Sequence, residues 1–168
     1  WDAVPAASQG YVASVWTGSA SPDTPNADLE TFWETTDNNP VQPLGWSFTG
    51  ITLEYMDKGL TEVSFDTTGD TIVTRLYPKA VTDLSFLLQG RSTASTSNSV
   101  LAVFGTADGT TWTSLASYST LADSDGDDEN NIFSVKEGDL EKNIALDVAS
   151  GFRQFKFVYT KDKGNVGI

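Results

Sequence analysis

The residues from Asp123 to Asn131 read Asp-Ser-Asp-Gly-Asp-Asp-Glu-Asn-Asn. Carboxylates at alternate positions, Asp123, Asp125, Asp127 and Glu129, can turn their oxygens onto one hard cation, and Ca2+ takes several oxygen ligands in a flexible shell. The spacing departs from an EF-hand loop. Counting from Asp123, the position that loop reserves for Gly is Asp128, and its closing Glu is Ser134. Two readings stand: a structural Ca2+ on these four side chains, or a solvated acidic loop tip whose like charges repel. Asp66-Thr67-Thr68-Gly69-Asp70 is a second acidic turn, read as a β-turn locked by Asp or as part of a structural cation site.

Aromatic supply is the other chemical resource. The chain has 5 Trp. A sugar ring offers C–H groups that stack on an indole face, so a glycan site needs exposed aromatics with polar groups beside them. Trp16, Trp33 and Trp46 lie in or near the loop-rich N-terminal part and are the ligand-platform candidates. Each has a plainer reading as core, because aromatics dominate buried area. Arg75, inside Ile72-Val73-Thr74-Arg75-Leu76, can recognise a carboxylate or sugar hydroxyls, or can form a surface salt bridge. Trp112 is read as scaffold.

What is missing excludes whole classes of chemistry. With 0 His and 0 Cys there is no Ser-His-Asp triad, no thiol nucleophile, no disulfide and no structural zinc site. A glycosidase needs two carboxylates across a cleft. Glu54 with Glu62 on neighbouring strands, or Glu30 with Glu34 on a helical turn, are the only pairs worth naming, and nothing marks a cleft. No catalytic residue is nominated and the expectation is a non-enzyme. A net charge of −13 repels phosphate backbones, so nucleic acid and anionic membranes are poor partners.

The elements that must position these residues are strands. The 168 residues suit one domain with a core of useful size. Thr, Ser, Asp and Gly fill the apolar deficit, which favours strands and turns over helices. Period-2 runs recur at Tyr11–Trp16, Gly50–Tyr55, Thr61–Phe65, Thr71–Tyr77, Asp83–Gln89, Ser99–Gly105, Thr111–Tyr118, Ile132–Val135, Asn143–Val148, Arg153–Thr160 and Asn165–Ile168. In Arg153–Thr160 the alternation puts Phe155, Phe157 and Tyr159 on one face, with Gln154, Lys156 and Thr160 on the other. One short helix is expected over residues 28–35, where Leu29, Phe32 and Trp33 fall at helical spacing behind a capping Asn26 or Asp28. The fold class expected is all-β: an antiparallel two-sheet β-sandwich of jelly-roll type, with a closed barrel as the alternative.

The segment Thr106-Ala107-Asp108-Gly109-Thr110-Thr111-Trp112, between two strand patterns, is a hairpin with an Asp-Gly turn. It resembles the Asp-Gly…Trp hairpin of galactose-binding-like jelly rolls, including discoidin-type and carbohydrate-binding modules. Asp83–Gly90, Phe152–Phe157 and Gly164–Ile168 look like neighbouring strands of that fold, so the resemblance spans roughly the C-terminal half. A sialidase Asp-box is set aside, since Asp108 and Gly109 are adjacent and the motif occurs once. The resemblance implies a jelly roll that binds glycan, and no catalytic residue.

The composite expectation is a non-enzymatic glycan-binding or adhesion module of a secreted or surface-anchored bacterial protein, extracellular or at the cell surface, with a purely structural spacer domain as the rival. Its partners would be carbohydrate or neighbouring domains. It is expected to act as a monomer, without inserting into a membrane, and Ca2+ is its only expected ion. Trp rather than Met at residue 1 is read as a processed or trimmed N-terminus.

Overall fold

The computed structural model describes residues 11–14, 29–32, 42–52, 63–91, 96–120, 141–148 and 151–168. These form β1 (Tyr11–Ser14), β2 (Leu29–Phe32), β3 (Ser47–Thr49), β4 (Ser64–Phe65), β5 (Thr71–Val73), β6 (Asp83–Arg91), β7 (Val100–Thr106), β8 (Thr113–Ser119), β9 (Glu141–Asp147), β10 (Gln154–Thr160) and β11 (Asn165–Gly167). Every ladder is antiparallel, and no helix occurs among the described residues. The class is all-β, as the alternation requires.

The strands fall into a five-stranded sheet of order β3-β5-β10-β7-β8, a four-stranded sheet of order β4-β11-β6-β9, and a ribbon of β1 and β2. From β3 onwards the chain changes sheet at every connection except the β7–β8 hairpin. Alternation on β10 and β7 is clean, with Phe155, Phe157, Tyr159, Leu101 and Val103 buried and their neighbours half-exposed. These side chains join Phe65, Leu84, Phe86, Leu88 and Val166 of the other sheet in one hydrophobic cluster. Phe86 is its joint. Its ring meets Phe157 edge to face at 5.1 Å and Tyr118 at 6.1 Å, both across the gap between sheets. Phe65 and Tyr159 repeat the arrangement at 6.3 Å. Such pairs add to the stabilisation that burial alone supplies. The same burial pushes the Tyr118 hydroxyl up to about 12.

Polar residues close the corners of this core. The Asp70 carboxylate is 4% exposed and accepts hydrogen bonds from the backbone N–H of Asp66 (2.7 Å) and Thr67 (2.8 Å). Burial nevertheless pushes its carboxyl above the usual Asp value. Gly50 lies so close beneath it that a Cβ there would collide with the carboxylate. At another corner the Ser99 hydroxyl accepts from the N–H of Asp162 (2.9 Å) and Lys163 (2.8 Å), pinning the turn between β10 and β11.

One expectation is overturned. Residues 29–32, within the span expected as a helix, are strand β2, paired with β1 in the register Tyr11↔Phe32 to Ser14↔Leu29. Helical spacing over about two turns cannot nucleate a helix by itself. Thr31 is β-branched, and pairing with β1 satisfies the backbone instead. Glu30 therefore sits on a strand opposite Ala13, and Glu34 lies outside the described residues. The structure also adds β3, which period-2 reading missed, while Ile132–Val135 lies outside the described residues.

The joint makes a direct prediction. Phe86→Ala should cost about 3–5 kcal/mol, seen as a fall in Tm of roughly 10 °C in a chain of this size. Phe86→Leu should recover more than half of that loss. Equal stability of Phe86→Ala and wild type in thermal melts would show that the two sheets do not depend on this contact.

Candidate functional site

The hairpin between β7 and β8 is built from its turn outward. The Asp108 carboxylate accepts from the backbone N–H groups of Thr110 and Thr111 (both 2.8 Å), from the Thr106 hydroxyl (2.9 Å) and from the Thr111 hydroxyl (3.1 Å). The Thr106 hydroxyl in turn accepts from the N–H of Gly109 at 3.1 Å. Gly109 has φ 81, a left-handed conformation that disfavours a side chain. The Thr111 and Thr110 amides, with the Thr106 hydroxyl, hold the Asp108 carboxyl far below the ordinary Asp value of 3.8.

Beyond the turn, a bulge decides which way Trp112 points. The β7–β8 register runs Val103↔Ala116 and then Phe104↔Ser114, leaving Leu115 as the extra residue. Leu115 and Ala116 both pack against the core cluster. Counting by two from buried Tyr118 would put Trp112 on the core side; the extra residue reverses the phase and turns it to the opposite face. There it meets Lys156 of β10, whose ammonium lies 4.4 Å from the Trp112 ring centre and 5.1 Å from that of Phe104 on β7.

This group occupies the middle of the five-stranded sheet, on the face turned away from the core. Register places Ser47, Val73, Lys156, Phe104 and Ser114 in one row across it. Thr49, Thr71, Val158, Ala102 and Ser117 form the next row. None of the five strands contains Asp or Glu, and Lys156 is the one charged residue in them. In a chain with 23 acidic residues that is a local exception. The four-stranded sheet, by contrast, carries Asp83, Arg91, Glu141, Lys142 and Asp147 in its strands.

Of the nominated ligand residues, Trp46 and Arg75 fall among the described ones. Pro43 to Trp46 is a turn closed by the Trp46 N–H on the Pro43 carbonyl (2.9 Å), and Gly45 rests against Arg75. Trp46 is half-buried, edge-on to Phe48 at 6.5 Å, with an indole N–H buried and without a hydrogen-bond partner among the described residues. The Arg75 guanidinium lies 5.0 Å over the ring of buried Tyr77. Leu44, 91% exposed, and Leu76, 43% exposed, flank this contact. Trp16, Trp33 and the acidic residues Asp123, Asp125, Asp127 and Glu129 lie outside the described residues, and among those described no group of three or more carboxylates gathers.

Sequence reading left Trp112, Phe104 and Lys156 unjoined. The outward position of Lys156 is readable from the β10 alternation, but its meeting with Trp112 depends on register and on the bulge. No protein-family model, curated protein or solved structure matches this chain.

The turn is testable through pH. Asp108 binds its proton less readily in the folded chain than when unfolded, so its contribution to stability is full above pH 3.8 and is lost as pH falls below that value. Asp108→Ala should lower Tm at neutral pH, and the gap to wild type should narrow steadily below pH 3.8. A gap that persists undiminished at pH 2 would mean the carboxylate charge is not what holds the turn.

Proposed function

We propose that this chain is a non-enzymatic glycan-binding module of an exported, cell-surface protein, built as a two-sheet β-sandwich of jelly-roll type. The observation that carries it is the outer face of the five-stranded sheet, where Trp112 and Phe104 flank Lys156 on a surface of small, neutral side chains. Half-exposed rings supply flat apolar area for sugar C–H groups, and the surrounding hydroxyls of Ser47, Thr71, Ser114 and Ser117 supply hydrogen bonds. The sandwich reading is supported by the shared core between the two sheets and by a chain that crosses between them at nearly every connection. A Ca2+ ion held by Asp123, Asp125, Asp127 and Glu129 belongs to this proposal as a structural ion that orders its loop.

A second reading, a structural spacer that docks a neighbouring domain, is favoured by Leu44 and Leu76, exposed at one corner beside Trp46 and Arg75. Affinity electrophoresis against a panel of neutral and acidic polysaccharides, with Ca2+ and then with chelator, separates the two. Retardation by at least one glycan is expected, with affinity falling about fivefold in Trp112→Ala, since stacking one aromatic ring is worth about 1 kcal/mol. A panel with no retardation under either condition overturns the glycan reading in favour of the spacer. A hit lost with chelator makes the acidic loop the next target for mutation.

A further inference from the structure

The geometry points to an acidic polysaccharide as the ligand of this face: a chain of carboxylate-bearing sugars whose carboxylate is taken by Lys156 while its rings lie against Trp112 and Phe104. This rests on the glycan reading above and goes beyond it in naming the charge of the sugar.

Three observations converge on it. First, the cation is central: β10 is the middle strand of the five, and Lys156 is the only charge in any of them. Second, it is held but not neutralised. Among the described residues its ammonium is met by two aromatic rings and by no carboxylate. Rings attract a cation through their quadrupole without cancelling its charge, so an anion arriving from solvent finds the ammonium already placed. Third, the strands of this face bring no acid of their own. A net charge of −13 disfavours any polyanion at long range. At physiological salt that field is screened beyond about 8 Å, so what matters is the charge within one sugar's reach. The two registered rows around Lys156 contain Ser, Thr, Val, Ala and Phe, and no acid. The nearest acid along the hairpin, Asp108, stays ionised but spends its carboxylate on four hydrogen bonds within its own turn.

A neutral glycan would use the rings but gain nothing from an ammonium at their centre. A second β-sheet face docked here would bury an unpaired charge, at a cost of several kcal/mol unless it brought an acid of its own. An acidic sugar uses every feature of the surface: C–H groups for the rings, hydroxyls for the Ser and Thr rows, and a carboxylate for Lys156.

The test uses the whole chain against polygalacturonate, alginate and hyaluronan, each paired with its carboxyl-reduced counterpart, which keeps the backbone and removes the charge. At least one acidic form should bind about tenfold tighter than its reduced partner, the worth of one charge-assisted hydrogen bond. That advantage should shrink as NaCl rises from 50 to 300 mM. Lys156→Gln should abolish the acidic form's advantage over the reduced form, lowering the acidic form by more than the reduced one, while Lys156→Arg keeps the preference. If reduced and acidic forms bind alike, or if Lys156→Gln weakens both equally, Lys156 is only a prop for the Trp112 ring; the acidic-ligand inference falls and the glycan reading stands. If neither form of any polysaccharide binds, nor any member of the neutral panel, both fall together. Concentration-dependent self-association that Trp112→Ala abolishes, with no polysaccharide bound, would assign the face to a second copy of the chain and overturn the inference.

Discussion

Phe86 holds the two sheets to each other. It belongs to the four-stranded sheet, yet its ring is seated edge-on against Phe157 and Tyr118 of the five-stranded one. Strands here are short, and apart from the β7–β8 hairpin the described chain from β3 onwards never pairs a strand with its immediate successor. Local turns therefore cannot fix most of the architecture. Register is set by side chains that must reach the shared core, because a slip of one residue would turn Phe155, Phe157 and Tyr159 out to solvent together.

The outward face is a consequence of that inward one. Once Phe155, Phe157 and Tyr159 are buried, Gln154, Lys156 and Val158 must face away, and pairing brings Val73 and Phe104 to either side of Lys156. The bulge at Leu115 completes the arrangement by shifting Trp112 out of phase with Tyr118. Its energetic rationale lies inside: Leu115 and Ala116 both gain contact with the core. Its effect lies outside, where an indole is delivered to a lysine. The Asp108 turn at the end of this hairpin also approaches β10, since Gly109 lies close to the Gln154 side chain.

Much of this was legible in advance, and the reason differs from one element to the next. The hairpin was readable because Asp108-Gly109 is a local backbone signal and its hydrogen bonds close within a few residues. β10 was readable because its alternation is unbroken over the whole strand. Residues 28–35 were misread because the spacing of Leu29, Phe32 and Trp33 fits a helix as well as it fits nothing in particular, and the β1 partner that decides the matter lies across a long connection. β3 was missed because Ser47-Phe48-Thr49 is too short to show a period, and it exists only as the edge partner of β5. Trp46 and Arg75 were nominated separately, and that the turn before β3 sets Gly45 against Arg75 follows from the same edge pairing.

By itself the sequence determined the class of structure and the chemistry that is absent. Period-2 alternation and turn residues are local properties of a chain, and no arrangement in space can supply an imidazole or a thiol that the chain lacks. It also determined that Lys156 opposes its aromatic neighbours on β10. Only the tertiary structure decided that Lys156 would find Trp112 and Phe104, and that the five strands around it would bring no acid of their own. Those facts depend on which strands become neighbours, in what register, and where one extra residue is accommodated. Such choices are settled by packing a common core between sheets, which no window of sequence contains.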